Sequence, residues 1–309
     1  MGVATQAAPG VARPPARDLG LMAVALLAVS TSGPLIAATA APAMAIAFWR
    51  NAFGSAVLLP WALVRNRSEL HALTRRERWL ALLAGLLLCL HFATWIPAIR
   101  YTSVASATAL VATQPVWAAL IGTVRGQRIG RQVWVGIVVS LVGALLLTGA
   151  DVRFSGDALL GDGLAVLGGV FAAGYMTAGS EVRQSVSTTA YTAICYSTTA
   201  VLLLGICLVG GDSLGGYAGR DWLKLIALAA GAQLLGHSLF NVVLRTTSST
   251  VVSLSILFEI PGAAVIAALF VKGQHVPWLA VPSAALLVSG LALVIRAGSR
   301  ASTPSVPVE

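Results

Sequence analysis

Glu259 sits near the middle of SSTVVSLSILFEIPGAAVIAALFV, residues 248–271, two positions before Pro261. The run is long enough to cross a hydrocarbon core of ~30 Å as a helix. A carboxylate at that depth costs about 2.5–3.5 kcal/mol on insertion scales. Pro261 removes a helix hydrogen bond and crowds the carbonyl one turn back, at Leu257. Both features fit a helix that faces protein or a wet cavity, not lipid. There a carboxylate can bind a cationic group, carry a proton, or neutralise an arginine. Arg50, in the stretch FWRN, is the one basic residue deep in an apolar run. An Arg50–Glu259 ion pair would reduce the burial cost of both, whether as a fixed strut or as a gating switch.

Two histidines make a second pair. His91 opens HFATWIPAIRYTS and His237 opens HSLFNVVLRTTSS, 146 residues apart, and Pro115 and Pro261 are again 146 apart. Thr113 is then the counterpart of Glu259, each two residues before its proline. Ser248, Ser255 and Glu259 follow one another at intervals of seven and four, as do Ser106, Thr113 and Trp117. Gln233, His237 and Asn241 stand at successive intervals of four. Such spacing keeps each set on one helix face. A polar stripe in an apolar helix is expected to face a cavity or the bundle interior. Trp95, Trp117 and Tyr175 are candidate walls of that cavity.

The elements that must position these residues follow from composition. The 309-residue chain is 57% hydrophobic and 10% charged, with mean hydropathy +0.86. Soluble domains carry about a quarter charged residues, so this composition belongs to a protein dissolved in lipid. Apolar runs near 18–38, 42–64, 78–99, 102–123, 132–150, 158–180, 188–210, 221–243, 248–271 and 276–296 predict about ten transmembrane helices joined by short loops. The first run follows an Ala/Pro-rich tail, but its span length and later counterpart make it a helix rather than a signal peptide. The three cysteines, Cys89, Cys195 and Cys207, lie in apolar runs without metal-ligand spacing.

The net charge of +9 is scattered between the apolar runs, which excludes a nucleic-acid surface. Taking alternate loops, one side of the membrane receives Arg13, Arg17, Arg65, Arg67, Arg75, Arg76, Arg78, Arg125, Arg128, Arg131, Arg183, Arg245, Arg296 and Arg300. The other receives Arg100, Arg153, Arg220, Lys224 and Lys272. By the positive-inside rule both termini are cytoplasmic and the number of spans is even.

The spacing of 145 to 147 continues from Arg100/Arg245 through Gly126-Gln127/Gly273-Gln274 to Gly143/Gly290. The chain is therefore a doubled unit. Each half has about five spans, an odd number, so the copies insert in opposite senses. Inverted repeats place a transport site at the midplane between them. Gly136, Ser140, Ala144 and Thr148 form a small-residue stripe that fits close helix packing, within the bundle or between the protomers of a homodimer. Asp151, Asp157 and Asp162 read as a solvated linker between the halves. No HExxH helix or GxSxG elbow is present, and Asp162-Gly163 lacks a following acidic cluster. Two other classes remain beside a transporter: an intramembrane enzyme or haem protein using His91 and His237, and a non-transporting scaffold or sensor.

The doubled five-span unit, FWRN, and the paired segments QPVWAALIGTVRGQ and EIPGAAVIAALFVKGQ resemble the EamA-type members of the drug/metabolite transporter superfamily. The resemblance covers about residues 18–296. Gln127 and Gln274 stand where the family pattern has glutamates, which removes a charge at each helix end. The resemblance implies an all-α membrane fold, with EamA-like repeats at 18–150 and 158–296 between disordered tails 1–17 and 297–309. It also implies alternating-access export of small metabolites, amino-acid-like or drug-like, from the bacterial cytoplasmic membrane. The partners expected are a small-molecule substrate, the lipid bilayer and protons as coupling ion, with no metal, cofactor, nucleic acid or enzymatic activity. The site residues expected are Glu259, Arg50, His91, His237, Thr113, Trp95, Asn241, Ser255, Trp117 and Tyr175.

Overall fold

The computed structural model describes residues 14–102, 104–148, 156–270 and 278–301. Arg13, Asp151, Arg153, Lys272, Gly273 and Gln274 lie outside the described residues, as do positions 1–13 and 302–309 of the two tails. The described residues form helices and no strand: α1 (Ala16–Val29), α2 (Ser32–Ala38), α3 (Ala43–Arg65), α4 (Arg67–Ala72), α5 (Arg75–Tyr101), α6 (Val104–Val111), α7 (Gln114–Val124), α8 (Arg131–Thr148), α9 (Gly156–Val182), α10 (Thr188–Gly210), α11 (Gly219–Leu228), a π-helix (Ala229–His237), α12 (Ser238–Val243), α13 (Ser249–Ile256), α14 (Glu259–Phe270) and α15 (Ala280–Ala301). Seven of the described helical segments are long and apolar enough to cross a membrane, and shorter apolar helices add to them. Large apolar side chains such as Leu27, Val64, Val201 and Leu208 lie on the outside, as lipid-facing residues must.

Helix limits follow local chemistry. Thr74 and Glu77 form a reciprocal capping box at the start of α5, and Ser187 and Ser248 cap α10 and α13 through their hydroxyls. Gly211 closes α10 in the left-handed region at φ +71°. The short α4 occupies what reads in the sequence as a loop; it is held down by Leu73, which is buried, and by Leu70 beside it. At the outer limits α1 begins at Ala16 and α15 runs to Ala301, so the ordered helices extend into both stretches expected to be tails. Asp157 and Asp162 belong to α9 rather than to a linker.

Three spans are interrupted. The fourth changes from α6 to α7 between Val111 and Gln114, and the ninth from α13 to α14 between Ile256 and Glu259. Pro115 and Pro261 crowd the carbonyls of residues 111 and 257, so each helix gives way where its proline demands. The first span breaks at Ser30 and Thr31, whose hydroxyls donate to Leu26 O and Ala28 O. Thr113 likewise donates to Leu110 O. Each of these carbonyls also accepts the backbone N–H of the same residue, so the hydroxyls add a second bond at the break and are themselves satisfied away from water.

Cross-links at the helix ends define two faces. On the arginine-rich face Glu181 pairs with both Arg76 and Arg125. Glu69 there accepts from the Ser187 backbone N–H and hydroxyl, and Asp18 from Thr246 and Thr247. On the opposite face Arg100 donates to Thr39 O and Ala41 O, and Trp49 to Leu214 O. Successive spans therefore alternate in direction, and each half holds an odd number of them. The Gly136–Ala144 stripe lies inside the chain, against α15. Ser283 donates to Gly143 O at 2.7 Å, and a Cβ on Gly136 would fall 2.7 Å from Gly290 O. The small residues let two backbones meet.

Candidate functional site

The interrupted spans surround a central cavity of about 50 Å³, enough for a few waters at roughly 10–15 Å³ each. Val29 and Ser32 enter it from the first span, His91 and Trp95 from α5, and Thr108, Ala112 and Gln114 from the fourth. Tyr175 and Met176 come from α9, His237 and Phe240 from the eighth, and Ile256, Glu259 and Ile260 from the ninth. The inverted halves thus meet at a pocket beside two symmetry-related helix breaks.

On α5, His91 and Trp95 are four residues apart and share a face. Their rings stack with centroids 5.7 Å apart and planes 9° from parallel. The His91 Nδ1–H donates to Gly168 O at 3.0 Å, which fixes the proton on that nitrogen because a carbonyl can only accept. Residue 168 must be small, since a Cβ there would lie 3.1 Å from Trp95 Cβ.

Opposite, the π-helix ends on His237. Such segments are rare and concentrate at functional positions. The matching stretch of α5 is an ordinary α-helix, so here the two repeats differ. His237 lies 5.7 Å from Phe92 and 6.2 Å from Tyr175, ring to ring. Its Nδ1 is buried and has no hydrogen-bond partner, as is true of Trp95 Nε1. His91 and His237 both border the central cavity.

Arg50 forms the layer beneath. It is 1% exposed, donates through Nε to Gln233 Oε1 at 3.1 Å and through Nη1 to Ser32 Oγ at 3.3 Å, and lies 4.2 Å over the Phe92 ring. Gln233 in turn donates to Asn51 Oδ1 at 3.1 Å. Arg50 Nη2 has no partner. The ion pair with Glu259 expected from the sequence does not form; among the described residues the ion pairs are those of Glu181 and the Lys224–Asp221 pair. One neutral amide and one hydroxyl hold the guanidinium, and Glu259 opens α14 at the cavity wall with no hydrogen bond to another described residue.

The structure therefore brings Glu259, His91, His237, Trp95 and Tyr175 to one cavity, with Arg50 just behind. Asn241 is also behind the wall, where it exchanges hydrogen bonds with the Tyr175 hydroxyl and reaches Tyr196. Thr113, Trp117 and Ser255 do not reach the cavity. Trp117 Nε1 donates to Thr113 Oγ1 at 3.1 Å, and Ser255 donates to Val251 O within its own helix. The break rotates the fourth span so that Gln114, one residue later, takes the inward position. Sequence reasoning missed Gln114 and Ser32 as wall residues, whereas Gln233 lies, as its stripe predicts, in the bundle interior. Ser32 was signalled by the polar run STSGP inside the first apolar stretch.

A second, larger cavity of about 500 Å³ opens among the helix ends of the arginine-rich face. Arg125, Gln127, Glu181, Gln184, Arg245 and residues 246–250 form its walls. Gln127 thus faces this vestibule and not the central cavity.

Comparison with known proteins agrees with this architecture. The chain is 27% identical over 172 residues to an uncharacterized transporter of Archaeoglobus fulgidus, a stretch covering 54% of this chain. It spans 57% of that relative's length. A solved crystal structure, described simply as that of a protein, superposes with a TM-score of 0.73 over 93% of this chain and 99% of that one. Identity there is 20%, so the likeness concerns the fold alone. The EamA-like transporter family matches the sequence twice, over residues 18–149 and 159–296. With both halves matched, the chain belongs to the EamA-like transporter family.

Proposed function

We propose that this multi-pass membrane protein exports small metabolites, amino-acid-like or drug-like, across the bacterial cytoplasmic membrane by alternating access. The arginine-rich face is then cytoplasmic, together with both termini. The observation that carries this reading is the pair of proline-broken spans bracketing one cavity, mainly apolar with a few polar groups, between inverted halves. Glu259 takes a cationic group of the cargo or a coupling proton. His91 and His237 offer hydrogen bonds, and Trp95 and Tyr175 provide apolar walls. Arg50 fixes the wall at Ser32, and Asn241 fixes Tyr175. Thr113, Trp117 and Ser255 shape the breaks. At about 50 Å³ the cavity is smaller than a metabolite, so cargo binding requires the halves to separate.

The test uses inside-out vesicles carrying wild type or Glu259→Gln. Uptake of a panel of radiolabelled amino acids and one lipophilic cation is measured with and without a pH gradient. Wild type is expected to accumulate a member of the panel in a gradient-dependent manner, and the variant to lose that dependence. Equal uptake and equal pH response in the two proteins would remove Glu259 from the mechanism.

A further inference from the structure

The central cavity and the vestibule adjoin one another along three helices. On α7, Gln114 faces the central cavity and Ala118, four residues on, faces the vestibule. On α9 the boundary falls between Met176 and Thr177. On α13, Thr250 borders the vestibule and Ile256 the central cavity, with Ser253 between them. Between the two cavities Gln114 Nε2 donates to Ser253 Oγ at 2.8 Å. Both residues are buried, at 4% and 1% exposure. The bond joins the half-helix that begins just after the fourth-span break to the one that ends just before the ninth-span break.

The opposite face is closed differently. There the chain between α2 and α3 is held by its backbone from both halves. Arg100 donates to Thr39 O and Ala41 O, Lys224 donates to Ala38 O, and Asp221 accepts from Ala40 N. Among the described residues, several side-chain hydrogen bonds to backbone close this face, whereas on the vestibule side the Gln114–Ser253 bond lies among packed apolar side chains such as Val251 and Leu254.

We infer that the Gln114–Ser253 bond is the gate between vestibule and central cavity, and that solutes enter from the arginine-rich face by replacing it. A solute that offers an acceptor to the Gln114 amide and a partner to the Ser253 hydroxyl substitutes for the bond it breaks. An apolar solute leaves two buried polar groups unpaired, which penalises its passage. The gate therefore selects for hydrogen-bonding cargo before Glu259 is reached. The direction of travel rests on the export reading above; the gate itself does not.

The experiment is thiol labelling of Ala172→Cys, a central-cavity position, by a membrane-impermeant maleimide applied to the arginine-rich face of inside-out vesicles. The native chain is the blank, because Cys89, Cys195 and Cys207 are buried. Gln184→Cys, exposed in the vestibule, is the positive control. Gln184→Cys is expected to label fast, and Ala172→Cys slowly. Adding Gln114→Ala or, separately, Ser253→Ala should speed Ala172→Cys labelling about two- to tenfold, the range set by one net hydrogen bond. The control rate should not change. Equal Ala172→Cys rates with and without the gate variants, or a Gln184→Cys that cannot be labelled from this face, would overturn the proposal. No cargo is needed, so a failed uptake panel and a failed gate are distinguishable results.

Discussion

Removing the buried charge at residue 50 should cost less stability than removing the neutral amide that holds it. Gln233→Leu takes away the acceptor for Arg50 Nε and the donor to Asn51 Oδ1. The guanidinium then keeps only Ser32 as a hydrogen-bond acceptor, with Nη2 already unpartnered. A buried charged donor without an acceptor costs about 1.5–3 kcal/mol and an orphaned amide oxygen about 1–3 kcal/mol. Together they predict destabilisation on the order of 2.5–6 kcal/mol. Arg50→Met orphans the Gln233 oxygen, about 1–3 kcal/mol. It also forfeits the contact over Phe92, about 0.5–2 kcal/mol. Against these losses it abolishes the desolvation penalty of a buried cation, several kcal/mol. The net change should lie within about 2 kcal/mol of zero. Thermal unfolding in one detergent, followed by tryptophan fluorescence, compares wild type, both single variants and the double variant. The double variant should be closer to Arg50→Met than to the sum of the singles, because the two residues share one network. If Arg50→Met unfolds at a temperature as low as Gln233→Leu, the amide-held guanidinium described here is incorrect.

Other outcomes can be checked more simply. Gly143→Ala would place a Cβ 2.8 Å from Leu286 Cβ and 2.9 Å from Ser283 O, so α8 and α15 must separate. A melting-point loss corresponding to about 1–3 kcal/mol is expected in the same assay. Gly85→Ala, with a Cβ 2.7 Å from Thr198 and 2.8 Å from Cys195 O, should behave alike where α5 crosses α10. Glu69 lies outside the spans. Burial alone would raise its pKa, but hydrogen bonds from Ser187 and Asn66 outweigh burial and hold it below the ordinary value of 4.5. A depressed folded-state pKa stabilises above the unfolded value, and that stability is lost as pH falls through the folded one. Glu69→Gln should therefore unfold at a lower temperature than wild type at pH 7, and the difference should shrink below about pH 4.5. A difference that persists unchanged in acid would refute the role given to the carboxylate.

The doubled helical plan was legible because burial in lipid imposes continuous apolar runs, and the repeat left its prolines and glycines in register. The two prolines also marked the breaks in the fourth and ninth spans. Which residue beside a break turns inward was not legible. Thr113 matches Glu259 in the repeat, yet its hydroxyl is used on Leu110 O and Gln114 faces the cavity instead. The break rotates the chain by an amount that periodicity cannot supply. Nor was the missing Arg50–Glu259 ion pair legible, since the guanidinium bonds instead to Gln233 and Ser32 while the carboxylate stands at the cavity wall. Arg183 had been counted among the loop charges. It is 3% exposed and donates to the carbonyls of Asn241 in the eighth span and of Val186 in the turn between α9 and α10. The π-helix at residues 229–237 has no sequence signature of its own, because it differs from an α-helix by one residue of winding.

The backbone contact between α8 and α15 has one more consequence. Helices that touch through Gly136, Gly143 and Gly290 have no side-chain cushion over which to slide, so whatever else moves during a transport cycle, this pair travels as a unit. Spin labels attached to the outer surfaces of the two should report a single, narrow separation in every condition. That constant would serve as an internal ruler against which the displacement of the jointed spans could be measured.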